Sequence, residues 1–202
     1  MLSHDELHSA LKSIPTQAFQ GVCYQAVTRR MLLGDPPHPE VRPLYDQGAA
    51  IKGARYTPIG SMKALYLSED PETAITEVHQ IYAELRRNGF MGVIPATVIF
   101  SVEIMLDAFL DLTDTNIQGA LNANISELCD PTWLSVQDEG GAPLTQQFAQ
   151  IAFDTGRIQA MRYPSAQLEG HACWVVFTER VFAPNYVRVN DPDGYLQGNI
   201  SR

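Results

Sequence analysis

Arg55, Tyr66 and Glu77 stand eleven residues apart in the stretch GARYTPIGSMKALYLSEDPETAITEV, and Ser165 follows Pro164 further along the chain. Arginine offers a planar fork of donors for phosphate or pyrophosphate. Tyrosine offers a flat face for an aromatic ring, with a hydroxyl at its end. A glutamate can face a developing positive charge or hold a ribose hydroxyl, as carboxylates do when a glycosidic bond breaks. Phosphate, aromatic ring and ribose are the parts of a nucleotide. A serine behind the fixed backbone of a proline would orient one end of it. Singly, each residue has a plainer reading: a loop arginine bridging to a surface carboxylate, a half-buried packing tyrosine, a solvated helix glutamate.

The elements that must position these residues are readable. Arg55 lies on a loop with Gly53 before it and Pro58 after it. KALYLS (63–68) alternates as a strand, with Leu65 and Leu67 on one side and Tyr66 on the other. Asp70 is a good N-cap, Pro71 suits the first helical position, and Gly89 follows Arg86 and Arg87 as a stop, so a helix spans the interval. On it Ala74, Val78, Ile81, Tyr82 and Leu85 make an apolar stripe. Glu77 lies about a right angle from the centre of that stripe, at the rim between core and solvent.

Ser3 and Glu6 form a capping box for an N-terminal helix at about 3–14, closed by Pro15. Strands are expected at 18–27, 94–104, 172–177 and 185–191. DAFLDLTD (107–114) continues or pairs with the strand before it, and RIQAMRYPS gives a short strand ending at Pro164-Ser165. A helix is expected at 144–156, closed by Gly156. Residues 31–61 read as a long loop region, of which about 31–50 resembles an insertion, and 115–142 as a polar segment with short helices. Strands with interspersed helices predict an α+β fold, a mixed β-sheet core flanked by helices, in a single domain over 1–202.

The 202 residues carry a formal net charge of −9. That balance argues against direct nucleic-acid binding, which relies on Lys and Arg. Cys23, Cys129 and Cys173 are three and lack CxxC spacing, which suggests reduced thiols, a cytoplasmic setting and core positions. No apolar run has the length of a membrane helix. HDELH at 4–8 mimics a zinc motif, but Asp5 stands where the motif has glutamate and no third ligand is evident. A solvated helix face explains it better, and no metal site is expected. Gly-x-Gly-x-x-Gly is absent from the sequence, so a dinucleotide here would be bound as a substrate, without a resident cofactor.

GARYTP, ALYLSEDPETAITEV and MRYPSAQ resemble the motifs of the RES-domain family, the toxins of a class of bacterial toxin–antitoxin pairs. The resemblance covers roughly residues 18–190 and carries Arg55, Tyr66, Glu77 and Ser165 onto the family's positions. It implies an ADP-ribosyltransferase-like fold, NAD as substrate and a helix-turn-helix antitoxin as partner. One departure is Gln25, in CYQAV, where the family commonly has arginine. The lost charge would then fall to Arg29 or Arg30, or phosphate binding would be weaker. A second is His171 and Cys173 in a region where the family often has an asparagine.

On this resemblance Arg55 would grip the phosphates and Tyr66 would pack on the nicotinamide or its ribose. Glu77 would stabilise the ribosyl cation, Ser165 would hydrogen-bond the nicotinamide end, and Gln25 and Tyr56 would help line the cleft. The expected function is cleavage of the nicotinamide–ribose bond by hydrolysis or phosphorolysis. Two alternatives use the same cleft: a protein ADP-ribosyltransferase, and a non-catalytic nucleotide- or partner-binding protein. The nucleophile, and the choice between monomer and homo-oligomer, are not written in the sequence.

Overall fold

The computed structural model describes residues 1–34, 42–87, 89 and 93–202, with their side chains except those of 81–87. The helices are α1 (His4–Ser13), α2 (Arg29–Leu33), α3 (Gln47–Lys52), α4 (Pro71–Arg87), α5 (Thr115–Ala120), α6 (Ile125–Leu128), α7 (Trp133–Asp138) and α8 (Leu144–Asp154). The strands are β1 (Gln17–Thr28), β2 (Ala64–Ser68), β3 (Thr97–Asp111), β4 (Ala160–Pro164), β5 (Ala172–Phe177), β6 (Tyr186–Val189) and β7 (Asn199–Ile200). They form one mixed sheet in the order β1-β2-β5-β4-β3-β6-β7, and β1 also pairs with β3. Of these pairings β3–β4 is parallel and the rest are antiparallel. The α+β expectation therefore holds.

The extra pairing bends the sheet on itself. β1 runs along β3 from Gln17–Phe109 to Thr28–Thr97, while β2 runs along β5 from Ala64–Phe177 to Ser68–Cys173. Between β1 and β2 there is one residue pair, Tyr24 with Ser68. The circuit β1–β2–β5–β4–β3 thus closes through a single pair, and beyond it the two strands part.

Apolar side chains cover both faces. One cluster joins Cys23, Val27, Leu65, Leu67, Phe100 and Trp174, with the Trp174 ring 4.6 Å from that of Phe19 and 4.7 Å from that of Phe109. The other joins Ala64, Cys173, Val175 and Phe177 to Leu7 and Leu11 of α1 and Phe148, Ala149 and Ala152 of α8. Leu7 and Leu11 are one helical turn apart, which sets α1 on the sheet by one face. Its C-terminal carbonyls are capped by Arg157, whose Nη1 donates to Leu11, Lys12 and Ile14 at 3.1, 3.2 and 2.8 Å. At the other end the Ser3–Glu6 box forms as the sequence predicts.

Several boundaries differ from the sequence reading. Of the two readings open for 107–114, continuation holds: β3 runs from Thr97 to Asp111, alternating through Phe100, Val102, Ile104 and Leu106 and changing phase at a register shift before Phe109. Residues 31–61 are not all loop: α2 ends there and α3 lies within it, while 35–41 of the expected insertion fall outside the described residues. Of the α4 stripe, Ile81, Tyr82 and Leu85 likewise fall outside the described side chains. β7 was not foreseen, since two residues carry no periodicity.

α4 begins as its sequence demands. Asp70 Oδ1 accepts from the Thr73 amide at 2.8 Å, and Oδ2 accepts from the Thr73 hydroxyl at 2.6 Å and lies 2.9 Å from His171 Nδ1. Burial works against the charge on Asp70, but these hydrogen bonds outweigh it and lower its pKa from 3.8 to about 2. A depressed carboxylate stabilises the fold above its ordinary pKa and loses that contribution as pH falls through its folded value. Asp70→Ala is expected to cost about 1 kcal/mol in urea unfolding at pH 7. Asp70→Asn keeps the cap and should flatten the wild-type loss of stability between about pH 4 and pH 2.

Candidate active site

Where β1 and β2 part, they leave a cleft of about 310 Å³. Tyr24, Gln25, Ala26 and Val27 form its β1 wall, Ala64–Ser68 its β2 wall, and Ala74, Glu77 and Val78 of α4 close one side. Gly48 and Ala49 of α3, Arg55, Trp133 and Cys173 also line it, with Met31 and Tyr45 among the remaining residues. Among the described residues that line it, Arg55 is the one Lys or Arg and Glu77 the one Asp or Glu. A single cation and a single carboxylate thus share one largely apolar space.

The Arg55 loop is built to stay in place. Ala54 and Thr57 exchange backbone hydrogen bonds at 2.9 and 3.0 Å, folding Arg55 and Tyr56 into a tight turn. The start of α8 clamps it: Thr145 Oγ1 donates to the Arg55 carbonyl at 2.6 Å and Gln146 Nε2 to the Ala54 carbonyl at 2.9 Å. Gly53 enters the turn at φ 77°, ψ 157°, a region open essentially to glycine alone. A Cβ there would also meet Gln137 Oε1 at 1.9 Å. The Arg55 side chain is 7% exposed, and its Nη1 donates to the Asp130 carbonyl at 2.7 Å. One corner of the guanidinium fixes the side chain while the group lines the cleft.

Tyr66 serves that loop from the neighbouring strand. Its hydroxyl accepts from the Tyr56 amide at 3.1 Å and lies 2.8 Å from Thr57 Oγ1. Burial raises its pKa above the ordinary range; the bonds to Thr57 and Tyr56 and the charge of Arg55 only partly offset this. Tyr66 is neutral, and its ring lines the cleft while its hydroxyl is spent on the loop.

Glu77 meets Ser165 directly. Ser165 Oγ donates to Glu77 Oε1 at 2.5 Å, and the Ala166 amide donates to the same oxygen at 3.2 Å. The serine is itself held: its Oγ accepts from the amides of Gln167 and Leu168, both at 3.1 Å. Cys173 Sγ adds a third, weaker donor at 3.7 Å. Burial, then the negative Glu77, pushes the Cys173 thiol well above its ordinary pKa, so it remains a protonated donor. Among the described residues, all these bonds fall on Oε1, which orients the carboxylate and leaves Oε2 for the cleft.

The structure therefore gathers Arg55, Tyr66, Glu77 and Gln25 around one cleft and sets Ser165 behind Glu77. Ser165 does not line the cleft; it was expected to face a ligand, and its hydroxyl is taken by the carboxylate instead. Tyr56 is a second correction. It is fully buried against Tyr163, with ring centroids 4.4 Å apart, and its hydroxyl donates to the Leu128 carbonyl at 3.0 Å. The tight turn points it into the core, back to back with Arg55. Arg29 and Arg30, considered as substitutes for a charge at position 25, are exposed at the start of α2 and outside the cleft lining.

Trp133 and Cys173 escaped the sequence reading. Trp133 sits in a polar segment with no periodic signal, three residues after the carbonyl that holds Arg55. Cys173 looked like plain core, and nothing in its strand revealed a partner 96 residues away. Arg162, by contrast, is structural: it grips Glu69, Asp111 and Thr113 and ties the end of β2 to β3 and β4. The Glu69 hydrogen bond, above all, raises its pKa against the cost of burial. Among the described residues no three His, Cys, Asp or Glu side chains gather as metal ligands would. Among them, too, no helix is long and apolar enough to cross a membrane.

A mixed sheet split between two diverging strands, with an anchored carboxylate and an arginine in the opening, defines a recognisable class. The RES domain matches residues 29–197, and the chain belongs to that family. The fold is similar to that of a chain in the crystal structure of the M. tuberculosis MbcT–MbcA toxin–antitoxin complex, with a TM-score of 0.69 at 16% sequence identity, over 93% of this chain and 90% of that one. No protein of curated function matches the sequence. The matched family span begins after Gln25, so that residue is placed by the fold alone.

Tyr66→Phe removes the hydroxyl from a buried turn and leaves the Tyr56 amide without its acceptor. The expected cost is about 1–3 kcal/mol in denaturant unfolding, with the fold retained by circular dichroism.

Proposed function

We propose that the cleft binds NAD as a substrate and that the protein breaks its nicotinamide–ribose bond, acting as the toxin of a toxin–antitoxin pair. The observation that carries this reading is Glu77: a carboxylate fixed through one oxygen by Ser165 and Ala166, facing a cleft that also holds Arg55. As the C1′–N bond breaks, its electron pair passes to the nicotinamide nitrogen, which becomes neutral. Positive charge then builds on C1′ and the ring oxygen, where an oriented carboxylate stabilises it. Water attacks C1′ and releases a proton to solvent, giving ADP-ribose, or a phosphate oxyanion attacks C1′ and gives its phosphorylated form. Arg55 holds the pyrophosphate through its remaining N–H groups, and the rings of Tyr66, Tyr24 and Trp133 offer stacking faces.

Ser165 acts through Glu77 as a positioning residue. Membership of the RES family and the toxin–antitoxin complex among its structural neighbours support the toxin reading. At the mouth, Met31 is 55% and Tyr45 36% exposed, an apolar margin suited to an antitoxin that closes the cleft.

Purified protein incubated with NAD, with and without phosphate, should release nicotinamide detectable by chromatography. Glu77→Gln should slow release at least about 100-fold while NAD still binds. ADP-ribose or its phosphorylated form as co-product would name the nucleophile. Label transferred from NAD to a protein, without free ADP-ribose, would replace degradation with protein ADP-ribosylation. Failure to bind NAD by calorimetry would overturn the reading.

A further inference from the structure

Strand β2 orders the parts of the cleft along its length. Ser68 pairs with Cys173, whose thiol meets Glu77. Two residues back, the Tyr66 hydroxyl holds the turn that carries Arg55. Two further back, the Ala64 amide donates to the Asp46 carbonyl at 3.1 Å, which sets α3 beside the start of the strand. From Ser68 to Ala64 the strand covers about 13 Å at roughly 3.3 Å per residue. Glu77 lies at one end of that span, the Arg55 turn between, and α3 at the other. The α3 end has a bare floor. Gly48 lines the cleft, and an atom standing where its Cβ would be meets Tyr45 Cδ1 at 3.7 Å and Met31 Cε at 3.9 Å, both ordinary van der Waals contacts. Tyr45 and Met31 line the cleft as well, and they are 36% and 55% exposed. Ala49 and Ala64 line the same end. Apart from the Tyr45 hydroxyl, none of these side chains carries an amide, a hydroxyl or a charge.

We propose that Gly48, Tyr45 and Met31 seat the adenine of the dinucleotide, by stacking and without reading its edge. This rests on the reading of NAD as substrate and assigns the half of it that does not react. With the nicotinamide ribose at Glu77 and the pyrophosphate at Arg55, the remaining part falls at α3, because β2 places the three in that sequence. There a planar ring packs on an aromatic face and a thioether. The missing Cβ of Gly48 lets it lie close to the helix backbone. Such a seat holds one purine about as well as another. Its binding is remote from the bond that breaks and is equal in the ground and transition states, so it lowers KM and leaves kcat alone. All three residues fall in the 31–50 segment that reads as an insertion. An antitoxin on the same margin would displace the base, so the two uses exclude each other.

The test measures kcat and KM for nicotinamide release from NAD, from nicotinamide mononucleotide, which lacks the adenosine half, and from nicotinamide hypoxanthine dinucleotide. Wild type should favour NAD over the mononucleotide by at least about 10-fold in kcat/KM and take the hypoxanthine dinucleotide nearly as well as NAD. Tyr45→Ala should cut the NAD-to-mononucleotide ratio about 10-fold, through a higher KM for NAD. Gly48→Leu, which fills the seat, should cut it likewise while its melting temperature holds or rises, since glycine is a poor helix residue. A ratio unchanged in either variant, folded and NAD-cleaving, overturns the seat and leaves the proposed activity standing. An equal loss on both substrates does the same, because it marks damage to the shared part of the cleft. Discrimination of about 10-fold or more against hypoxanthine also overturns the seat, because it marks a base edge that is read. Calorimetry showing that wild type binds neither dinucleotide removes the NAD reading and this assignment with it.

Discussion

Strands β1 and β2 share the Tyr24–Ser68 pair and then separate, each committed to a different neighbour. β1 is held along its length by β3, and β2 by β5, so neither can swing across to zip up the gap. Backbone groups in such a gap are costly unless they find partners. The surrounding elements answer that need in part. The Ala64 amide donates to the Asp46 carbonyl just before α3, and α4 packs over the opening from the other side. What remains is a cleft whose walls are rigid strands, the setting in which a few polar groups can be held in fixed geometry.

Within that setting the polar groups are ranked by what restrains them. Glu77 is fixed through Oε1, Arg55 through Nη1, and Tyr66 through its hydroxyl, each by partners from another part of the chain. In each case one part of the group meets the protein and another is left to the cleft. Such an arrangement costs nothing to reorganise when a ligand arrives, which is the condition for strong electrostatic stabilisation of a developing charge. Gln25 differs: its buried Oε1 has no hydrogen-bond partner among the described residues.

Local signals made much of this legible. Asp70, Pro71 and the apolar spacing after them place α4, and the alternation of ALYLS places β2 with Tyr66 opposite Leu65 and Leu67. Arg55, Tyr66 and Glu77 could be grouped because they fall on one loop, strand and helix in succession. What stayed hidden was long-range. Ser165 reaches Glu77 across 88 residues, and the Arg55 guanidinium meets a backbone carbonyl 75 residues away. Neither the parting of β1 from β2 nor the inward turn of Tyr56 has a local signature. The first depends on each strand's other neighbour, and the second on a turn fixed by α8.

The central claim is that Glu77 faces the nicotinamide ribose of a bound dinucleotide. A crystal structure of the Glu77→Gln variant soaked with NAD tests it most directly. The account predicts the pyrophosphate at Arg55 and C1′ of the nicotinamide ribose within about 3.5 Å of the side chain at position 77, the separation of a reacting pair. A dinucleotide seated outside the β1–β2 opening, or reversed with its adenine ribose against position 77, would contradict it.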